Sequence, residues 1–279
     1  MAATWNASAI AEAFWIAASG RPGPVLVDLP KDVLQASTEF AWPDTVDLPG
    51  YRPTTRPHGK RVREAAMLLR QARRPVLYVG GGVIKADAHQ ELRRLAELAQ
   101  APVTTTLMAR GAFPDDHPLA LGMPGMHGNY AAVAALQEAD LIVALGARFD
   151  DRVTGNKATF ARKARIIHAD IDPAEIGKNR LADVPIVGDV RLVLEELLAA
   201  YQALVAEQGP ADTAAWRRAT DQWKRRFPYR YQQGDARLKP QYVVDRLSAL
   251  TGGAAVVVAG VGQHQMYASQ YYRFTRPRS

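Results

Sequence analysis

Four short segments carry the residue types from which a ligand site can be built, and each directly follows a strand-like run. Gly80-Gly81-Gly82 comes after Leu77 to Val79. With no side chains in the way, its amides can approach a phosphate or a flat ring, and the same three residues equally make a tight turn. It is no dinucleotide fingerprint, because Lys85 stands where the sixth position of that motif needs glycine or alanine. Thr105-Thr106-Leu107-Met108 offers hydroxyls and backbone to a ligand, or merely caps a turn. The loop from Gly146 to Gly155 gathers Arg148, Asp150, Asp151 and Arg152. Guanidinium groups there suit a pyrophosphate through forked hydrogen bonds, and a surface ion-pair loop is the alternative. In His168-Ala169-Asp170-Ile171-Asp172 alternate residues share a strand face. One imidazole and two carboxylates lack a supporting metal-ligand set, whereas an acidic side chain beyond a strand end suits ribose hydroxyls.

Two histidines lie in glycine-rich surroundings, His127 in Gly122-Met123-Pro124-Gly125-Met126-His127-Gly128 and His264 in Val261-Gly262-Gln263-His264. Imidazole titrates near neutrality, so either could move a proton. Neither has a carboxylate at helical spacing to orient it, which favours an ordinary polar contact.

The elements needed to hold these segments follow from periodicity. Residues 8 to 19 place Ile10, Ala13, Phe14 and Ala17 at helical spacing behind a Ser8 cap, and Pro24 to Pro30 then reads as a buried strand. Residues 36 to 58 are rich in proline, threonine and aspartate and read as a linker. From residue 59 a regular alternation begins: a helix with Val62, Ala66 and Leu69 on one face, the strand Pro75 to Val79, and a helix marked by Leu92, Leu95 and Leu98. Further strand-like runs follow at Val103 to Thr106, Leu141 to Leu145, Arg165 to Ala169 and Val184 to Val187, then a helix with Leu192, Leu194, Leu197 and Leu198. Alternating strands and helices predict an α/β fold, a doubly wound parallel sheet covered on both faces. Ligands then bind at the carboxyl ends of its strands, where the four segments lie. Residues 206 to 239 read as a second linker with a surface helix near Trp216 to Trp223. Pro240 opens a new helix through Val243, Val244 and Leu247, leading to a strand at Ala254 to Ala259. One whole α/β domain between the end of one domain and the start of another predicts a fragment of a longer chain.

Composition narrows the classes. The 279 residues include no cysteine, which excludes disulfide staples and thiolate metal sites and agrees with a reducing, cytoplasmic setting. Ile10 to Ser19 has no basic region before it and is interrupted by Glu12, so it is no signal peptide. The apolar run Ala254 to Val261 is far shorter than the roughly 20 residues that span a bilayer, so no membrane association is expected. The net charge is +7, yet its clusters, Arg73-Arg74, Arg93-Arg94 and Lys224-Arg225-Arg226, are short and sit on helical segments as solvated faces. No nucleic-acid partner is expected.

Beyond these generic features, SGRPGPVLVDLPKDV, VGGGVI, TTTLMARGAFP, LGMPGMHG, GARFDDRVTGN, DIDPAEIGKNR and VGQHQMYASQYY occur in one order along nearly the whole chain. In that order and spacing the sequence resembles the large catalytic subunits of the acetohydroxyacid synthase (acetolactate synthase) family of thiamine-diphosphate enzymes. The resemblance implies that residues 1–40 end a pyrimidine-binding domain, 41–56 link, 57–205 form a central FAD-binding domain, 206–237 link again, and 238–279 begin a diphosphate-binding domain. It implies FAD contacts at Arg21, at Gly80, Gly81 and Gly82, at Thr105, Leu107 and Met108, and at His127. Further implied FAD contacts are Gly146, Ala147, Arg148, Asp150, Arg152 and Val153, then Asp170, Ile171, Asp172, Glu175 and Asp189. Gly262, Gln263 and His264 look like contacts to the diphosphate end of thiamine diphosphate.

The implied activity is a transferase of branched-chain amino acid biosynthesis. It decarboxylates pyruvate and joins the product to a second 2-oxoacid, pyruvate or 2-oxobutyrate, with thiamine diphosphate, magnesium and a non-redox FAD. A homodimer or larger assembly and a regulatory small subunit are implied partners. The activating glutamate and the magnesium-binding segment of the family are expected outside these residues, so no catalytic or metal-binding residue is assigned here and the isolated chain is expected to be inactive. Two other readings are a non-catalytic FAD or nucleotide-binding module, and a relative such as glyoxylate carboligase or a pyruvate oxidase. The sequence departs from the family pattern at Ala259-Gly260, where Thr-Asp is usual, and at Ala109 and Asn156, where glycine and a basic residue are more common.

Overall fold

The computed structural model describes residues 5–234 and 236–279. Contacts divide the chain into two compact units, Met1–Thr55 and Arg56–Ser279.

The first unit contains helix α1 (Trp5–Ala18) and the short helix α2 (Lys31–Gln35). Ser8 lies inside α1 rather than at its cap. The hydroxyl and carbonyl of Ser19 meet the Tyr51 hydroxyl, each at 3.2 Å, fastening the end of α1 to residue 51. The strand expected at Val25 to Leu29 does not form, and Leu26 is 92% exposed. A strand needs a neighbour to satisfy its peptide groups, and no described residue pairs with this one.

The second unit is built on the predicted parallel sheet. Its elements in chain order are α3 (Gly59–Gln71), β1 (Pro75–Val79), α4 (Gly81–Lys85), α5 (His89–Ala99), β2 (Val103–Thr105), β3 (Ala120–Gly122), α6 (Tyr130–Glu138) and β4 (Leu141–Leu145). There follow α7 (Asp151–Thr154), β5 (Arg165–Asp170), β6 (Val184–Val187), α8 (Val190–Gln208), α9 (Ala214–Arg226), α10 (Pro240–Thr251) and α11 (Gln263–Tyr271). The strand order is β3-β2-β1-β4-β5-β6, with every pairing parallel. The order reverses between β1 and β4, which opens a crevice at their carboxyl ends.

The strands are apolar on both faces because both are covered. Leu77, Val79, Val143, Leu145 and Ile167 point to one side, where they pack with Val62, Ala66 and Leu69 of α3, Leu92 and Leu95 of α5, and Val193, Leu194 and Leu197 of α8. Val76, Tyr78, Ile142, Ala144 and Ile166 point to the other, against Ala132, Ala135 and Leu136 of α6 and Trp216 of α9. The segment read as a second linker therefore supplies a covering helix. Trp216 is buried, and its indole N–H donates to the Pro75 carbonyl at 3.0 Å.

The strand expected at Ala254 to Ala259 is also absent. Val256 and Val258 are exposed with no ladder partner among the described residues, and the Tyr272 hydroxyl holds Ala255 by hydrogen bonds instead. Among the described residues no helix is long and apolar enough to cross a membrane.

A candidate cofactor platform at the strand ends

The parallel sheet brings the loops after all six strands to one edge, and most residues singled out from sequence lie there. Gly80 to Gly82 follow β1, Thr105 to Met108 follow β2, His127 lies beyond β3, Gly146 to Val153 follow β4, Asp170 to Glu175 end and follow β5, and Asp189 follows β6. Arg21 belongs to the first unit, and Gly262, Gln263 and His264 form the entry to α11.

The loops interlock through backbone. The Gly80 amide donates to the Leu145 carbonyl at 2.9 Å and the Gly82 amide to the Gly146 carbonyl at 3.2 Å. A Cβ on Gly80 would lie 2.6 Å from the Ala147 Cα, and one on Gly82 2.6 Å from the Gly146 Cα. These two glycines are thus required by the contact between the β1 and β4 loops, whatever else approaches them. Gly81 differs. A Cβ there would meet the Met108 Cβ at 3.2 Å, so this glycine packs under the β2 loop, whose Met108 is exposed.

The loop bearing His127 is seated on α7. Met126 N–H donates to the Arg152 carbonyl at 2.8 Å, and Gly125, at φ +97°, leaves no room for a side chain, since its Cβ would stand 2.6 Å from that oxygen. The His127 imidazole is half-buried. Its carbonyl accepts from the Gln270 amide at 2.8 Å and the Tyr229 hydroxyl at 3.2 Å.

The β4 loop presents the charges. Asp150 caps α7 by accepting from the Arg152 amide at 3.0 Å and is paired with the Arg148 guanidinium. The Arg152 amide, aided by the Arg148 and Arg152 charges, holds the Asp150 carboxyl below the usual carboxylate range against its partial burial. Arg148 and Arg152 have exposed side chains, and exposed pairs of this kind are weak enough to be exchanged for an anionic ligand. Beneath the loop, His168 is buried edge-on to Phe149 at 5.2 Å. Burial holds its imidazole below the ordinary value of 6.5, opposed by Asp170, the Ala147 backbone and Glu175. Phe149 also meets Tyr78, whose phenol is pushed up by burial and by the Asp150 charge.

Asp170 and Asp172 shape the β5 end, Asp170 accepting from the Asp172 amide at 3.0 Å and Asp172 from the Ala174 amide at 2.9 Å. Ile171 lies between them, and the buried Glu175 is reached by Lys178 at 3.4 Å. Asp189 caps α8 through the Arg191 amide at 2.9 Å. Among the described residues, no cluster of histidine and carboxylate side chains is arranged to hold a metal ion.

Sequence reasoning passed over two features of this edge. Strand β3 is three residues long, too short for its period to register. Arg110 and Asp115 form a largely buried ion pair, with side chains 8% and 15% exposed. Two opposite charges within the glycine-containing segment that follows Met108 were the available signal.

The edge so described, with its glycine contacts, paired arginines and carboxylate turns, belongs to a doubly wound α/β domain with a parallel sheet. Residues 62–197 match the sequence model of the family described as "Thiamine pyrophosphate enzyme, central domain". Over 271 residues the chain is 59% identical to an acetolactate synthase large subunit of Mycobacterium tuberculosis, covering 97% of this chain and 44% of that one. It is 56% identical over 273 residues to the acetolactate synthase large subunit of Corynebacterium glutamicum, covering 97% and 43% of the two chains. It is 46% identical over 269 residues to acetolactate synthase isozyme 3 large subunit of Escherichia coli, covering 96% and 47%. Over the part it spans, the chain belongs to the acetolactate synthase large-subunit family of thiamine pyrophosphate enzymes. It spans less than half the length of these curated relatives.

Proposed function

We propose that this chain supplies the FAD platform and part of the thiamine diphosphate site of an acetolactate synthase. The reaction is decarboxylation of pyruvate followed by joining to pyruvate or 2-oxobutyrate. The observation that carries this reading is the coincidence of two independent facts. The relatives across the span are acetolactate synthases, and the residues implied as FAD contacts, apart from Arg21, lie in the loops at the carboxyl edge of the sheet.

The residues present fit FAD. Arg148 and Arg152 provide forked donors for its pyrophosphate, and Asp170, Asp172 and Glu175 provide acceptors for hydroxyl and amine groups. Gly81 packs tightly under the β2 loop, whose exposed Met108 offers an apolar side chain to a flat ring. Thiamine diphosphate, when bound, supplies the carbanion chemistry of the reaction. The part of this chain toward it is the first turn of α11, where Gly262, at φ +154°, precedes the exposed Gln263 and His264 and leaves unbonded helical amides for a phosphate. The described residues do not by themselves hold the magnesium that accompanies a diphosphate.

The domain reading that goes with this proposal has residues 1–40 end a pyrimidine-binding domain, 57–205 form the FAD domain and 238–279 begin a diphosphate-binding domain. The enzyme acts in the cytoplasm as a homodimer or larger assembly with a regulatory small subunit. The test is a fluorescence titration of the 279-residue chain with FAD, alongside acetolactate formation from pyruvate with thiamine diphosphate and magnesium. FAD quenching that is lost in Arg148→Ala/Arg152→Ala supports the platform. Absence of FAD binding by the unaltered chain overturns it.

A further inference from the structure

Two side-chain clamps join α11 and the segment after it to the platform loops. In the first, the His127 carbonyl accepts from Gln270, near the end of α11, and from Tyr229. In the second, Arg110 donates to the Thr105 hydroxyl at 3.0 Å and pairs with Asp115, which accepts from the Phe274 amide at 2.9 Å. The Asp115 amide donates back to the Phe274 carbonyl at 3.0 Å, and the Arg110 guanidinium lies 5.1 Å from the centre of the Phe274 ring. Gly111, at φ +82°, makes this approach possible, because a Cβ there would stand 2.8 Å from the Arg276 carbonyl carbon. The Tyr229 ring also lies 5.7 Å from that of Tyr271, the last residue of α11.

The arrangement has a direction. At one end stand Thr105 and His127, both at the strand-end edge. At the other stands α11, which Gly262 precedes and whose first turn carries Gln263 and His264. Between them runs a largely buried charged pair held by hydrogen bonds at both ends. Removing either charge leaves the other largely buried and unmatched, which is costly. A ligand that orders the β2 and β3 loops therefore orders α11 through groups that it does not touch.

We propose that Arg110, Asp115 and Gln270 are positioning residues that couple occupancy of the strand-end site to the placement of the first turn of α11. This rests on the reading of the strand ends as the FAD site. FAD then acts as a structural effector, presenting Gly262 to His264 at a fixed height over the platform.

The test is amide hydrogen exchange on the 279-residue chain with and without saturating FAD, in the unaltered protein, in Asp115→Asn, and in Gln270→Met/Tyr229→Phe. In the unaltered chain FAD slows exchange both in Ala147 to Val153 and in α11, the latter by about five-fold or more. Each variant still binds FAD and keeps the slowing at Ala147 to Val153, but loses it in α11. Exchange in α5 and α8 stays at unaltered rates, which separates lost coupling from general loosening. The second variant perturbs no buried charge and carries the test if Asp115→Asn fails to fold. Slowing of α11 that persists in a folded variant, or that is absent from the FAD-bound unaltered chain, overturns the coupling while leaving the FAD reading intact. Failure of the unaltered chain to bind FAD overturns both.

Discussion

Individual residues at the strand ends serve the protein before they serve any ligand. Gly80 is the clearest case: its missing side chain lets the β1 and β4 loops touch, and an added methyl would run into the Gly146 carbonyl and the Ala147 Cα. Backbone cannot swing aside as a flexible side chain can, so Gly80→Ala is expected to cost about 1–3 kcal/mol in urea unfolding. Gly23→Ala, whose Cβ meets nothing within 4 Å, is the matched control. His168 gives a pH prediction. Burial lowers its folded pKa below the ordinary 6.5, so between those two values the unfolded chain binds the extra proton. Stability is present above 6.5 and is lost as pH falls through the folded value. Thermal midpoints between pH 5 and pH 8, on the order of the histidine titration range, should fall toward the acid end, and His168→Leu should flatten the His168 part of that slope. The sequence identified His168 within a chemistry-bearing motif but not its burial under Phe149, since that depends on how the β4 loop folds back over β5.

Elements were legible where periodicity was sustained and illegible where a partner decides. The strands β1, β4, β5 and β6 and the buried faces of α3, α5 and α8 follow from runs of Val, Ile, Leu and Ala. The runs at Val25 to Leu29 and Ala254 to Ala259 have the same composition, yet remain unpaired, because strand formation is a property of two segments rather than one. Helix α9 errs the other way. Its basic residues mark it as a surface helix, but one face carries Trp216 into the core beneath Pro75. Trp216→Ala is accordingly expected to destabilise the second unit by about 3–5 kcal/mol. Trp216→Phe should cost less, keeping most of the packing while leaving the Pro75 carbonyl without its donor. Chemical denaturation of both variants measures the difference, and equal stability of Trp216→Ala and the unaltered chain would mean that α9 is only a tether.

At the scale of the molecule, the cofactor platform and the exposed apolar runs have opposite consequences. The platform rests on a sheet buried on both faces, so it should unfold cooperatively with the core. Leu26, at 92% exposure, and Val258, at 91%, lie in short runs with strand-forming composition and no ladder partner among the described residues. Such runs offer free peptide groups and apolar side chains to another copy, and a single lysine is the usual means of blocking that pairing. Leu26→Lys/Val258→Lys should therefore suppress the rise of light scattering with protein concentration. Because neither side chain contributes to the core, the thermal midpoint and FAD affinity should stay within error of the unaltered chain. If scattering is unchanged while the midpoint falls, these residues support the fold, and the aggregating surface lies elsewhere.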